Sequence, residues 1–220
     1  MLKTVFISRV LAENSPFRYI LSAKGWTVAG ESLVTLSPLP VSMLPPSDWI
    51  FFSSQNAVRF FFAPTGPPIV PAVKWAALGS ATAAVLQDFV PQVDFTGTGD
   101  PASTAENFAT LANGQRVLFP GARHAQESLR QALGERIIAL PIALYDNQPV
   151  AHPACRDEQV LVFTSPMNAS AYFSQHPKQV HQQLVAIGQT TATILRKMGL
   201  EAAVAATATE EGLAAAVLGY

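Results

Sequence analysis

The chain has 220 residues, room for one large domain or two lobes of about 100 residues each. Hydrophobic residues make up 49% and charged residues 13%, so a sizeable core can be buried, and a net charge of −1 argues against a nucleic-acid partner. No apolar run reaches the ~18 residues of a membrane span, the opening run is too short for a signal peptide, and the single Cys155 cannot form an intrachain disulfide, which together predict a cytoplasmic protein off the membrane.

Strand-like and helix-like patterns alternate along the chain. Residues 4–8 are rich in branched and aromatic side chains and read as a buried strand. Residues 16–24 have helical spacing, with Ser15 as N-cap, Pro16 at the first helical position and Gly25 as the stop. Residues 28–36 read as extended, and the prolines at 38, 40, 45 and 46 break the pattern. Residues 49–52 are an unbroken apolar run, as expected of a strand covered on both faces. A helix follows at 55–62, a strand at 75–78, helices at 81–89 and 104–111, and a strand at 116–119. A helix from about Gln126 to 133 and an extended segment at 137–145 come next. Residues 147–153 hold two prolines and read as a second linker. Strands at 159–163 and 184–187, with helices at 169–173, 190–198 and 210–218, complete the alternation.

Two motifs recur in the same order. Phe52-Ser53-Ser54-Gln55-Asn56-Ala57 returns as Phe163-Thr164-Ser165-Pro166-Met167-Asn168-Ala169, and Ala77-Leu78-Gly79-Ser80-Ala81-Thr82-Ala83 as Ala186-Ile187-Gly188-Gln189-Thr190-Thr191-Ala192. A duplicated unit predicts two similar α/β lobes, each a parallel sheet flanked by helices, with a ligand in the cleft between them. The two proline-rich breaks, near 36–41 and 143–150, divide the chain into 1–37 plus 150–220 for one discontinuous lobe and 38–145 for the other. Two extended strands would join them.

Both copies place small hydroxyl and amide residues where a strand gives way to a helix: Ser53, Ser54 and Asn56, Ser80 and Thr82, Thr164, Ser165 and Asn168, and Thr190 and Thr191. Free N–H groups at helix starts favour anions, and hydroxyls add donors. The same residues are also ordinary N-caps. Arg9 follows the first strand, and Pro120-Gly121-Ala122-Arg123 forms another strand-to-turn junction; either Arg can face an anion or stay solvated. Tyr145 and Tyr172 can donate a proton or simply pack. The four histidines are scattered, and neither a metal-binding spacing nor a phosphate loop ending in Lys-Ser/Thr is present.

The ordered set Phe52-Ser53-Ser54-Gln55-Asn56-Ala57-Val58, Leu78-Gly79-Ser80-Ala81-Thr82-Ala83, Leu118-Phe119-Pro120-Gly121, Leu144-Tyr145, Phe163-Thr164-Ser165-Pro166, Ala186-Ile187-Gly188-Gln189-Thr190-Thr191-Ala192 and Met198-Gly199-Leu200 resembles the uroporphyrinogen-III synthase family. The resemblance implies cyclisation of hydroxymethylbilane with loss of water and inversion of ring D, in haem biosynthesis, with no metal or organic cofactor. It implies a monomer that contacts hydroxymethylbilane synthase transiently. It assigns Tyr172 as first candidate for assisting the leaving hydroxyl and Tyr145 as second. Arg9, Ser53, Ser54, Asn56, Ser80, Gly121, Thr164, Ser165, Thr190 and Thr191 are the implied substrate-binding residues. Ser53 stands where the family commonly has Thr, and Gln189 where it has Pro.

Three other readings use the same residues. A sugar-phosphate isomerase or transferase would bind phosphate at the helix starts, but no Glu or His base stands out beside them. A two-lobed small-anion binding protein would need only the hinge. A catalytically inactive family member would keep the fold alone.

Overall fold

The computed structural model describes residues 3–67, 73–125 and 127–220. In chain order the first elements are β1 (Lys3–Ile7), α1 (Pro16–Ser22), β2 (Trp26–Gly30), β3 (Val34–Pro38), β4 (Trp49–Phe52), α2 (Gln55–Phe61), β5 (Lys74–Ala77), α3 (Ser80–Gln87), β6 (Phe95–Thr96) and α4 (Pro101–Ala112). They are followed by β7 (Arg116–Ala122), α5 (Ser128–Leu133), a 3-10 turn at Gly134–Arg136, β8 (Ile138–Pro149), β9 (Val160–Phe163), α6 (Pro166–Phe173), β10 (Gln183–Ala186), α7 (Gln189–Lys197), β11 (Ala203–Val204) and α8 (Glu210–Leu218).

The chain divides into two compact units. Unit 1 comprises Met1–Thr35 and Gln148–Tyr220, and unit 2 comprises Leu36–Asn147. The backbone passes between them twice, inside β3 and inside β8. Unit 1 holds a sheet of order β11-β10-β9-β1-β2 with every pair parallel. The second sheet has the order β3-β8-β7-β4-β5-β6, and its pairs from β8 to β6 are parallel. In unit 2 the strands step outward from β4 to β6, and the chain then returns to add β7 and β8 on the other side. Unit 1 repeats this order as β9, β10, β11, then β1 and β2, so its first strands come from the far end of the sequence. Each sheet therefore has one point where the strand order reverses, between β4 and β7 and between β9 and β1. In doubly wound sheets the carboxyl edge at such a point is where ligands bind.

The apolar runs of β4 and β9 are continuous because these central strands are buried on both faces. In β4, Trp49 and Phe51 enter one core cluster with Phe108 and Leu133, while Ile50 and Phe52 enter the opposite one with Phe61 and Leu118. In β9, Val160 and Val162 pack with Phe17, and Leu161 and Phe163 pack with Tyr172. Phe51 is fully buried and meets Phe108 edge-on at 4.9 Å, so truncation to Ala at this point costs about 3–5 kcal/mol.

Several local expectations change. The extended segment at 28–36 is two strands, interrupted at 31–33. β8 runs on to Pro149, past the start of the expected linker at 147. β6 and β11 are two-residue strands, too short to leave a periodic signal. α4 begins at Pro101 rather than 104 because Asp100 caps it, accepting from the Ser103 N–H at 2.8 Å. The expected helix start at Gln126 lies outside the described residues; α5 begins at Ser128.

Candidate functional site

Unit 1 gathers its candidates at the carboxyl ends of β1, β9 and β10. The β9 end is tied to the β1 end by three contacts. The Thr164 N–H donates to Ser8 Oγ at 2.9 Å, Thr164 Oγ1 donates to the Ser8 carbonyl at 2.9 Å, and the two hydroxyls lie 3.3 Å apart. Ser165 then caps α6 through the Asn168 N–H at 3.2 Å and also accepts from Asn168 Nδ2 at 2.8 Å. Asn168 is itself anchored, since its Oδ1 accepts from the Leu33 N–H at 2.8 Å. Arg9 follows β1 and lies 3.9 Å from Glu210 Oε1. The other oxygen of Glu210 accepts from Ser15 Oγ at 2.5 Å and from the Phe17 N–H at 3.2 Å, at the start of α1. Glu210, at the start of α8, therefore serves the opening turn of α1, which lies far from it in sequence.

α7 starts differently. Its N-cap is Gly188 and makes no side-chain cap bond, so its first N–H groups depend on a partner from elsewhere. Thr190 in its first turn is exposed, whereas Thr191 is 2% exposed and turned into the unit. Gly188 is not glycine for want of space, because a Cβ there would meet nothing within 4 Å.

Unit 2 repeats the design. Ser54 caps α2 through the Ala57 N–H at 3.2 Å, with Ser53 and Asn56 exposed beside it. α3 starts from Gly79, again with no side-chain cap bond. Here glycine is favoured by contact, since a Cβ would sit a tight 3.0 Å from the Gly99 Cα. A depression of about 280 Å³ opens at this helix start, lined by Leu78 to Thr82 together with Thr98 and Gly99. Ser80 is on its exposed side, and Thr82, like its counterpart Thr191, is buried. Gly121 lies in β7, half-buried, next to a register shift against β8.

The two tyrosines have different environments. Tyr172 is 1% exposed and packs among Phe163, Phe173 and His176. Its hydroxyl accepts from the Arg156 N–H at 3.0 Å and donates to the Arg156 carbonyl at 3.3 Å. Burial pushes its phenol above the usual tyrosine range, against the lowering effect of the Arg156 N–H. The expected ligand-facing phenol is thus turned inward onto backbone. Tyr145, 5% exposed, stacks on Phe60 at 4.5 Å, and its hydroxyl stands 3.5 Å from Ser54 Oγ at the start of α2. Arg123, read as facing an anion or solvent, does both: it is half exposed and donates to the Asp146 carboxylate at 3.0 Å. Among the described residues, no group of three or more His, Cys, Asp or Glu could hold a metal ion, and no helix is long and apolar enough to cross a membrane.

Each unit thus offers hydroxyls and an uncapped helix start at the carboxyl edge of a doubly wound sheet, which defines a duplicated, doubly wound α/β protein. The uroporphyrinogen-III synthase HemD family model matches residues 18–215. The chain belongs to the uroporphyrinogen-III synthase family. Among solved structures it is similar to the uroporphyrinogen-III synthetase of Helicobacter pylori, at 22% identity and a TM-score of 0.76, over 100% of this chain and 99% of that one. It is also similar to a mutant uroporphyrinogen III synthase of Thermus thermophilus, at 18% identity and a TM-score of 0.58, over 99% and 96% of the two chains. No curated protein sequence gives a significant match.

Proposed function

We propose that the chain converts hydroxymethylbilane to uroporphyrinogen III in the cytoplasm. The observation that carries this is the family match along residues 18–215, on a chain whose own carboxyl-edge residues suit such a substrate. Hydroxymethylbilane is flexible and rich in carboxylates. The uncapped starts of α3 and α7, with Ser80 and Thr190, supply N–H and O–H donors for those carboxylates. Ser53, Asn56 and Gly121 in unit 2, and Arg9 with the Ser165 hydroxyl in unit 1, extend the same donor edges. Donors fixed on helices hold one folded conformation of a reactive chain, so positioning supplies most of the catalysis.

In the chemical step, the pyrrole lone pair of the first ring expels the terminal hydroxyl. The C–O bond breaks, and the departing oxygen needs a proton to leave as water. Tyr145 is the donor we assign, supported by its hydroxyl beside Ser54 at a helix start. Ring D then bonds to the freed methylene through its substituted carbon, and the spiro intermediate reopens and recloses with that ring inverted. The proton lost when the last pyrrole regains aromaticity restores the phenol. Tyr172 has the weaker claim to this role, because both of its hydrogen bonds are spent on Arg156.

The test is incubation with freshly generated hydroxymethylbilane, followed by oxidation and separation of uroporphyrin isomers. Type III product above the spontaneous type I background is the expected result. Type I alone from folded protein overturns the assignment and leaves a binding role for the same fold.

A further inference from the structure

β8 contains an irregularity with a consequence for Tyr145. Along β7 and β8 the register is regular up to Gly121 opposite Ala143, but Ala122 stands opposite Tyr145. Leu144 is therefore an extra residue, a β-bulge. In a regular strand successive side chains point to opposite faces. Leu140, Ile142 and Leu144 pack on the cluster beneath α2, and Tyr145, which should point away, packs on that same cluster. Leu144, Tyr145 and Asp146 are buried in succession across this irregularity. The bulge is what turns the Tyr145 phenol onto Phe60 and Ser54.

The bulge is clamped from β7. The Arg123 N–H donates to the Tyr145 carbonyl at 2.8 Å, and Arg123 Nη1 donates to Asp146 Oδ2 at 3.0 Å. The Asp146 side chain is 10% exposed and that of Arg123 is 51% exposed. One residue thus holds both the backbone of Tyr145 and the side chain beyond it.

We infer that Arg123 and Asp146 are positioning residues, which hold the β8 bulge and so aim the Tyr145 hydroxyl at the reacting hydroxymethyl group. The inference rests on the assignment of Tyr145 given above. Neither residue needs to touch substrate. A shift of about 1 Å in a reacting group is enough to lower turnover by roughly a hundredfold, so loss of one clamp partner is expected to cost about tenfold or more in kcat.

The experiment combines kinetics with 19F NMR of protein carrying 3-fluorotyrosine, the Tyr145 resonance being identified by its loss in Tyr145→Phe. Arg123→Met and Asp146→Asn are compared with the conservative Arg123→Lys. The expected result is a shifted or broadened Tyr145 resonance and a kcat for type III product lowered about tenfold, with KM for hydroxymethylbilane within about twofold. Arg123→Lys should recover part of both, and Arg123→Met should cost nothing further in the Tyr145→Phe background. Arg123→Met that raises KM at unchanged kcat makes Arg123 a direct substrate contact and overturns the inference. An unmoved Tyr145 resonance overturns it as well. A moved resonance with full turnover, and full turnover in Tyr145→Phe, overturns instead the assignment of Tyr145 to the reaction.

Discussion

The phenol oxygen of Tyr172 lies 3.0 Å from the Arg156 amide nitrogen and 3.3 Å from the Arg156 carbonyl oxygen, so one hydroxyl serves both backbone groups of a residue 16 positions earlier. The same carbonyl also accepts from Gln182 Nε2 at 2.8 Å, and the Arg156 guanidinium lies over the Phe6 ring at 4.3 Å. Tyr172 thus anchors the segment that leads into β9.

Tyr172→Phe is expected to act on stability rather than turnover. The part-buried Arg156 N–H loses its acceptor, at a cost of about 1–3 kcal/mol. Urea unfolding should show a lower midpoint, while kcat per folded molecule stays within about twofold of the parent. A large fall in kcat at unchanged midpoint would return Tyr172 to the mechanism.

Tyr172 also predicts an alkaline instability. Its folded-state pKa is raised by burial, so the folded protein keeps the phenolic proton longer than the unfolded chain does. The stabilisation is fully present below the unfolded value of about 10 and is lost as pH rises through the folded value. Unfolding midpoints measured between about pH 8 and pH 11 should fall more steeply for the parent than for Tyr172→Phe. Parallel slopes would show that another group sets the alkaline limit.

Gly188→Ser probes the uncapped start of α7. A Cβ meets no atom within 4 Å there, and the backbone at φ −172° suits any residue, so the variant should fold. The new hydroxyl caps the helix from within, which stabilises by a few tenths of a kcal/mol and competes with a bound carboxylate. KM for hydroxymethylbilane should rise several-fold with Tm unchanged or higher. Unchanged KM would remove this helix start from the binding surface.

Ser15→Ala should destabilise unit 1 without touching chemistry. Ser15 is 2% exposed, accepts from the Arg18 N–H at 3.2 Å and donates to Glu210 at 2.5 Å. Loss of the cap costs about 1–2 kcal/mol, read as a lower Tm in calorimetry. If Arg9 then pairs more closely with Glu210, KM should rise modestly; a KM below the parent value would contradict this coupling.

What could be read from the sequence was whatever chemistry lies within a few residues. The all-buried runs of β4 and β9 read as strands because both faces of a parallel sheet are covered, and a strand that alternated would have looked different. Ser15, Ser54 and Ser165 read as caps because a cap bonds only three residues ahead. The two copied motifs gave the duplicated units, and their order gave the family. The two-residue strands β6 and β11 left no period to detect, and Glu210 bonds across nearly the whole chain to Ser15.

Tertiary structure alone gives the two tyrosines their different environments. Tyr145 and Tyr172 both occupy positions that match the family motifs, and spacing cannot tell a phenol that reaches a helix start from one that reaches its own core. Tyr172 is directed by Arg156, which arrives from the segment before β9. Tyr145 is directed by a bulge that exists only because β8 pairs with β7 one residue out of step, where Arg123 grips its carbonyl. A side chain's face follows from the pairing partner of its strand, and that partner is set by packing across the sheet rather than by neighbours along the chain.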